Sequence, residues 1–152
     1  MHVYRLTKTL YSQDLSGMGA RLHGGRWNPK GISVVYTAAS RALATVEYLV
    51  HVPLSLIPRD LRMVTLHIPD WIPPKTIAIS DLPANWRDYP APPALAELGT
   101  QWTRTQETLL LRVPSAVVEQ EWNVLLNPLH PDMPHVTMPQ VEPYQFDSRL
   151  LR

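Results

Sequence analysis

Short runs rich in β-branched and aromatic residues, separated by turn residues, predict strands along most of the chain. The first runs from His2 to Leu6, and the second, SVVYT, from Ser33 to Thr37. Four more strands are predicted from Arg62 to Ile68, Thr76 to Ile79, Leu109 to Val113 and Trp122 to Leu126.

Two segments have the periodicity of helices. Apolar residues between Ser40 and about His51 recur on one face with a period of 3.6, Ser40 is a suitable N-cap, and Pro53 ends the pattern. A second short helix is predicted around Ala94 to Thr103. Strands outnumber helices, so we predict an α+β fold with a mixed sheet and a few short helices.

The segment between the first two strands, GARLHGGRWNPKG, predicts a shaped loop. Gly24 and Gly25 permit close backbone approach immediately before Arg26. Paired guanidinium donors match phosphate oxygens, which makes the loop a candidate phosphate grip. An ordinary turn is the alternative that these residues alone leave open.

Length and composition indicate one domain spanning residues 1–152, since the chain has 152 residues and no composition shift. The 14 Lys and Arg residues nearly balance the 13 Asp and Glu residues, so no global field attracts nucleic acid or anionic membranes. The absence of cysteine excludes disulfides and thiolate catalysis. No apolar run approaches the roughly 20 residues that span a bilayer, and no secretory signal is recognised, so we expect a soluble, cytoplasmic protein without membrane contacts.

Glu47 is the one carboxylate of the first predicted helix, about 40° from Leu43 on the helical wheel and thus at the edge of the apolar stripe. A carboxylate there can point into the rim of a cleft, where partial desolvation strengthens its interaction with developing positive charge. A solvated position on the flank of the helix is the alternative.

Two other side chains are suited to ligand contacts. Tyr36 ends the second strand, where its ring can stack on a flat heterocycle or pack in the core. Ser115 follows the segment LLLRVP and can contact a ligand from the lip of a sheet or stabilise a turn. The residues His130, Asp132 and His135 are of metal-binding types, but intervening prolines and the lack of further ligands disfavour a zinc site.

The order of these segments resembles the RES-domain family of toxins. The resemblance runs from Tyr4 to Pro131 and rests on YR near the start, GGRWNPKG, VVYTA, the helix with Glu47, VPSAVV and EWNVLLNPLHP. Ten residues lead from Arg26 to Tyr36 and eleven from Tyr36 to Glu47, as the family's pattern requires.

This resemblance implies a fold related to ADP-ribosyltransferases and an enzyme that degrades NAD by cleaving the nicotinamide–ribose bond, as a glycohydrolase or phosphorylase. Arg26, Tyr36 and Glu47 would be the principal site residues, with Arg5 and Ser115 supporting them in NAD binding. NAD would be the substrate, with no metal required. The implied partner is a cognate antitoxin with an Xre-like DNA-binding domain, so that DNA is reached only through the antitoxin.

Three alternatives remain beside this interpretation. The same fold would also suit an ADP-ribosyltransferase that modifies a protein or small molecule, and a noncatalytic module would bind a nucleotide or partner without consuming NAD. An RNA-cutting toxin is disfavoured by the near-neutral charge of +1. The acceptor of the ADP-ribose and the oligomeric state, a homodimer included, stay open.

Overall fold

The computed structural model describes residues 1–152 and contains one seven-stranded sheet with three α-helices. The predicted α+β class is therefore confirmed. The strands are β1 His2–Lys8, β2 Val35–Ala38, β3 Leu61–His67, β4 Pro74–Thr76, β5 Leu110–Pro114, β6 Trp122–Leu126 and β7 Thr137–Tyr144, and the helices are α1 Met18–His23, α2 Arg41–Leu49 and α3 Pro93–Thr105.

The sheet is mixed, with the strand order β4-β5-β6-β2-β1-β3-β7. Only β4 and β5 pair in parallel, and the other neighbours are antiparallel. Strands β1 and β2 pair at a single position, Tyr4 with Ala38, whereas β1 follows β3 along its whole length. The two halves of the sheet consequently separate between β1 and β2.

Helix α2 begins as the sequence predicts. The Ser40 hydroxyl oxygen accepts a hydrogen bond from the Leu43 amide at 3.1 Å and so caps the first turn. Leu43 and Ala44 are buried in a cluster that includes Met63 and Phe146. This apolar face attaches the helix to the sheet and leaves Glu47 at its edge.

Three elements differ from the sequence prediction. Helix α1, capped at its end by Gly24 with a φ of 72°, begins one residue before the segment predicted as a loop and occupies its first part. Strand β4 ends where a strand was predicted to begin, and a 3-10 turn starts at Ile79. Strand β7 was not predicted, because Pro139 and Pro143 interrupt its pattern. It lies at the edge of the sheet, where proline is tolerated in a strand.

None of the helices is both long and apolar enough to cross a membrane.

Candidate active site

A cleft of about 590 Å³ opens where β1 and β2 separate. Its volume lies within the range of about 300–1,000 Å³ that is typical of small-molecule sites. Arg5, Arg26, Tyr36 and Glu47 line the cleft, and Ser115 does not. Four of the five predicted site residues, separated widely in sequence, thus meet at one surface.

The Glu47 carboxylate is anchored through one of its two oxygen atoms. Glu47 Oε1 accepts hydrogen bonds from Ser115 Oγ and from Asn123 Nδ2, each at 2.7 Å. Oε2 has no hydrogen-bond partner in the protein. The carboxylate therefore has a fixed direction and presents a free oxygen to the cleft.

Ser115 lies behind Glu47 and is only 1 % exposed. Its hydroxyl oxygen accepts from the backbone amides of Val117 at 3.1 Å and Val118 at 3.0 Å, while its single proton goes to Glu47. The sequence prediction of a direct substrate contact is not what this geometry favours, because the hydroxyl is already fully engaged.

The loop that carries Arg26 is held by Tyr36. The Tyr36 hydroxyl accepts a hydrogen bond from the Trp27 amide at 3.0 Å and donates one to Asn28 Oδ1 at 2.7 Å. Burial raises the pKa of Tyr36, so the phenol stays neutral at physiological pH. Its hydroxyl therefore shapes the loop, while its ring lines the cleft.

The other side of this loop packs against helix α3. A Cβ on Gly99 would lie 1.7 Å from the carbonyl oxygen of Trp27, so only glycine permits the contact. The Trp27 side chain is buried beside Leu95 and Trp102 of the same helix. The backbone next to Arg26 is thus clamped between strand β2 and helix α3.

Arg26 uses one of its three guanidinium nitrogens to hold a neighbouring segment. Its Nη1 donates to the carbonyl oxygens of Trp86 at 2.7 Å and Asp88 at 3.1 Å. Nε and Nη2 make no hydrogen bond within the protein, and they remain available for an anion. Desolvation lowers the pKa of Arg26 and the charge of Glu47 opposes this, but arginine stays protonated at any physiological pH.

Arg5 projects from β1 and holds the turn that follows this strand. Its Nη1 donates to the Asp14 carbonyl oxygen at 2.8 Å, and Nη2 donates to that of Tyr11 at 3.2 Å. Burial lowers the pKa of Arg5, and the carboxylate of Asp14 partly compensates. Arg5 adds a second guanidinium to the cleft, and its two terminal nitrogens hold the turn after β1.

Almost the whole chain matches a known domain. The sequence model of the family described as RES domain matches residues 2–147 of the chain. This chain belongs to the RES-domain family. The resemblance predicted from the sequence is thereby confirmed.

Curated relatives of this RES-domain protein extend over almost its whole length. A Sphingobium protein (strain YBL2) named Prs ADP-ribosylating toxin is 38% identical, over 95% of this chain and 91% of the relative. A Yersinia enterocolitica protein named Toxin Res is 37% identical, over 99% of both chains. A Pseudomonas putida protein of the same name is also 37% identical, over 90% of this chain and 92% of the relative.

A solved structure shares the fold of this RES-domain protein. It is the crystal structure of the MbcT–MbcA toxin–antitoxin complex of M. tuberculosis, matched with a TM-score of 0.73. The match covers 99% of this chain and 86% of that chain at 19% sequence identity. At this identity the likeness is one of fold.

Several residues of the RES-domain cleft were not predicted from the sequence. Asn123 is hidden in a strand pattern that indicates only regular β structure. Arg87 and Tyr89 lie in a proline-rich segment, and no local motif marks them as cleft residues. Arg87 Nε donates to the Ala116 carbonyl oxygen at 3.2 Å and its guanidinium pairs with Glu119, which ties this segment to the loop after β5.

The candidate metal-binding residues of the sequence do not converge. His130 Nδ1 accepts a hydrogen bond from the Asp132 amide at 3.0 Å, which is a turn contact. The ring of His135 instead packs on that of Trp71, with 4.9 Å between the centroids. No group of three or more potential ligands is close enough to hold a metal ion.

Proposed function

We propose that this chain is the toxin of a bacterial toxin–antitoxin pair and that it degrades NAD by breaking the bond between nicotinamide and ribose. The observation that carries this proposal is the Glu47 carboxylate, which is fixed through Oε1 and free at Oε2. It shares the cleft with the unpaired guanidinium nitrogens of Arg26. The carboxylate of Glu47 thus suits the positively charged nicotinamide riboside of NAD, and the guanidinium of Arg26 suits the negatively charged pyrophosphate.

The chemistry requires little more than this arrangement. When the bond from C1′ of the ribose to the nicotinamide nitrogen breaks, both electrons leave with nicotinamide, which becomes neutral. The sugar acquires the character of an oxocarbenium ion, and a nearby carboxylate stabilises it. No general acid is needed, in contrast to ordinary glycosides, because the leaving group needs no proton.

The other residues have roles that follow from their contacts. Arg26 offers Nε and Nη2 to the pyrophosphate, and Arg5 adds a second positive charge to the cleft from strand β1. The Tyr36 ring is suited to packing on nicotinamide while its hydroxyl holds the loop of Arg26. Ser115 supports Glu47 from behind.

The acceptor of the ADP-ribose distinguishes two versions of this function. Water or inorganic phosphate gives a glycohydrolase or a phosphorylase, in which the acceptor bonds to C1′ and loses a proton. Transfer to a protein is the second candidate, and the name of the Sphingobium relative, Prs ADP-ribosylating toxin, favours it. Both versions share the first bond cleavage.

The proposed partner is an antitoxin of the Xre type that blocks the cleft and supplies the DNA contact. The likeness of fold to a toxin solved with its antitoxin supports an antitoxin partner, and the Xre type is part of the proposal. The formal charge of +1 fits a chain that leaves DNA binding to another protein. The proposed site of action is the bacterial cytoplasm, where NAD is available.

Product analysis of the purified chain tests the proposal. NAD is incubated with the protein alone, with inorganic phosphate, and with a bacterial lysate, and nicotinamide, ADP-ribose, its phosphate ester and modified proteins are measured by mass spectrometry. We expect nicotinamide in at least one arm, and the accompanying product identifies the acceptor. No loss of NAD in any arm, at high concentration of folded protein, would support a noncatalytic binding module instead.

Growth of bacteria tests the toxin role separately. Induction of the wild-type chain alone is expected to stop growth and drain cellular NAD, and coexpression of the cognate antitoxin is expected to restore both. Normal growth and undiminished NAD at confirmed soluble expression would contradict the toxin proposal.

A further inference from the structure

We propose that Asn123 is a positioning residue for Glu47, and that the fold retains its amide at a cost in stability. The proposal rests on the function proposed above and adds a residue to its machinery. Asn123 lies on β6, where it pairs with Ala38 of β2 and Val113 of β5. A residue flanked by strands on both sides has little freedom to move, so its side chain is a rigid support.

The two donors to Glu47 differ in what else they do. Ser115 also accepts the amides of Val117 and Val118, so it organises a loop as well as the carboxylate. The side chain of Asn123 makes one hydrogen bond, from Nδ2 to Glu47 Oε1. The hydrogen bond to Glu47 is therefore the one polar contact of this amide, and its effect is to orient the carboxylate.

The other end of the amide is unfavourable for folding. Asn123 Oδ1 has less than 1 Å² of accessible surface and no hydrogen-bond partner, and it is the one buried side-chain polar atom in this condition. An unpartnered buried oxygen opposes folding, and an apolar side chain of similar volume avoids the penalty. Rotating the amide does not help, because Oδ1 would then face a carboxylate oxygen that only accepts.

The consequence for the reaction is geometric. With two donors on Oε1, the carboxylate cannot turn about its terminal bond without losing both, so Oε2 stays directed into the cleft. A carboxylate held by Ser115 alone keeps one of these restraints. Its charge is still present, but its position relative to C1′ of the ribose is less well defined, and this lowers turnover more than binding.

Replacement of Asn123 by Leu separates this role from a structural one. We expect Asn123→Leu to melt at the same or a higher temperature than the wild type, because the orphaned oxygen is gone. In nicotinamide release, kcat should fall about tenfold or more, whereas KM for NAD should stay within about twofold. Asn123→Asp, which keeps the shape but removes the donor, should lose at least as much turnover.

Asn127→Leu is the matched control. Asn127 follows the same strand and is only 1 % exposed, whereas Asn123 is partly exposed as a residue and buried at its Oδ1. The Asn127 Nδ2 donates to the Thr103 carbonyl oxygen, and its Oδ1 accepts from the Leu129 amide. This variant is expected to melt at a lower temperature and to keep the wild-type kcat per folded molecule. The two variants are therefore expected to show opposite losses. Asn123→Leu should lose turnover and keep its stability, whereas Asn127→Leu should lose stability and keep its turnover.

A crystal structure of Asn123→Leu keeps the test independent of activity. If the wild type releases no nicotinamide, the proposed function fails, and the position of Glu47 in the variant decides the positioning role. We expect its carboxylate to leave the wild-type orientation or to occupy more than one. An unmoved carboxylate, an unchanged kcat, or a melting temperature lowered as far as that of Asn127→Leu would overturn the proposal.

Discussion

A Cβ added to Gly25 would lie 2.7 Å from the hydroxyl oxygen of Tyr36. The same atom would lie 2.9 Å from Asn28 Oδ1, the acceptor of that hydroxyl. The loop before Arg26 therefore rests directly on Tyr36, with no room for a side chain. The double glycine of the sequence is required here for close approach at its second position.

Gly25→Ala should consequently displace the loop that carries Arg26. We expect a lower melting temperature and a higher KM for NAD, because either the backbone or the Tyr36 ring must move. Gly19→Ala is the control for stability, since its Cβ meets nothing within 4 Å. Equal melting temperatures for the two variants would show that the close approach of Gly25 to Tyr36 does not affect stability.

Tyr36→Phe keeps the ring and removes the hydroxyl. The Trp27 amide and Asn28 Oδ1 each lose a partner, which should reduce the free energy of unfolding by roughly 1–3 kcal/mol. Urea denaturation measures this loss. The control is Tyr48→Phe, whose hydroxyl makes no hydrogen bond, and a comparable loss in both variants would contradict the assigned role of the Tyr36 hydroxyl.

The raised pKa of Tyr36 also predicts an alkaline limit to stability. In the unfolded chain the phenol ionises near pH 10, while in the folded protein it remains protonated beyond that pH because it is desolvated. The unfolded state then binds fewer protons, and the free energy of unfolding falls as pH rises above about 10. Tyr36→Phe lacks this contribution, so its stability should decline less steeply there. If the free energy of unfolding falls equally steeply with pH in the wild type and in Tyr36→Phe, the contribution assigned to the buried phenol is contradicted.

Arg26→Lys tests the forked contact of the guanidinium. An ammonium preserves the charge but cannot hold two carbonyl oxygens and a pyrophosphate together. We expect a higher KM for NAD and greater mobility of the segment that includes Trp86 and Asp88, visible as faster amide exchange. Arg104→Lys, on the outer part of α3, is the control. An unchanged kcat/KM in Arg26→Lys would exclude a phosphate contact.

Local signals account for the part of the site that could be predicted. The Ser40 cap and the periodicity of α2 depend on neighbouring residues, so the helix and the edge position of Glu47 were visible in the sequence. Glycines near Arg26 likewise indicated a close backbone approach, which the structure contains at Gly25. The family resemblance then selected these residues among the alternatives.

Long-range contacts account for the part that could not be predicted. Asn123 is 76 residues from Glu47 and Trp86 is 60 residues from Arg26, and no local pattern records either pair. The split of the sheet between β1 and β2 is equally invisible, because it depends on strand order. In the same way, the sequence left open whether Ser115 contacts a ligand or stabilises a turn, since it contains no sign of the neighbour Glu47.

Nicotinamide release by the wild type and by Glu47→Gln is the most direct measurement. Glutamine keeps the volume and can still accept from Ser115 and Asn123 through its carbonyl oxygen, so the fold should be unchanged. Loss of the charge should reduce the rate by about 10²–10³. Glu97→Gln, an exposed change on helix α3, should release nicotinamide at the wild-type rate. If Glu47→Gln keeps more than about half of the wild-type rate, against the loss expected for such a contact, Glu47 is not the catalytic carboxylate.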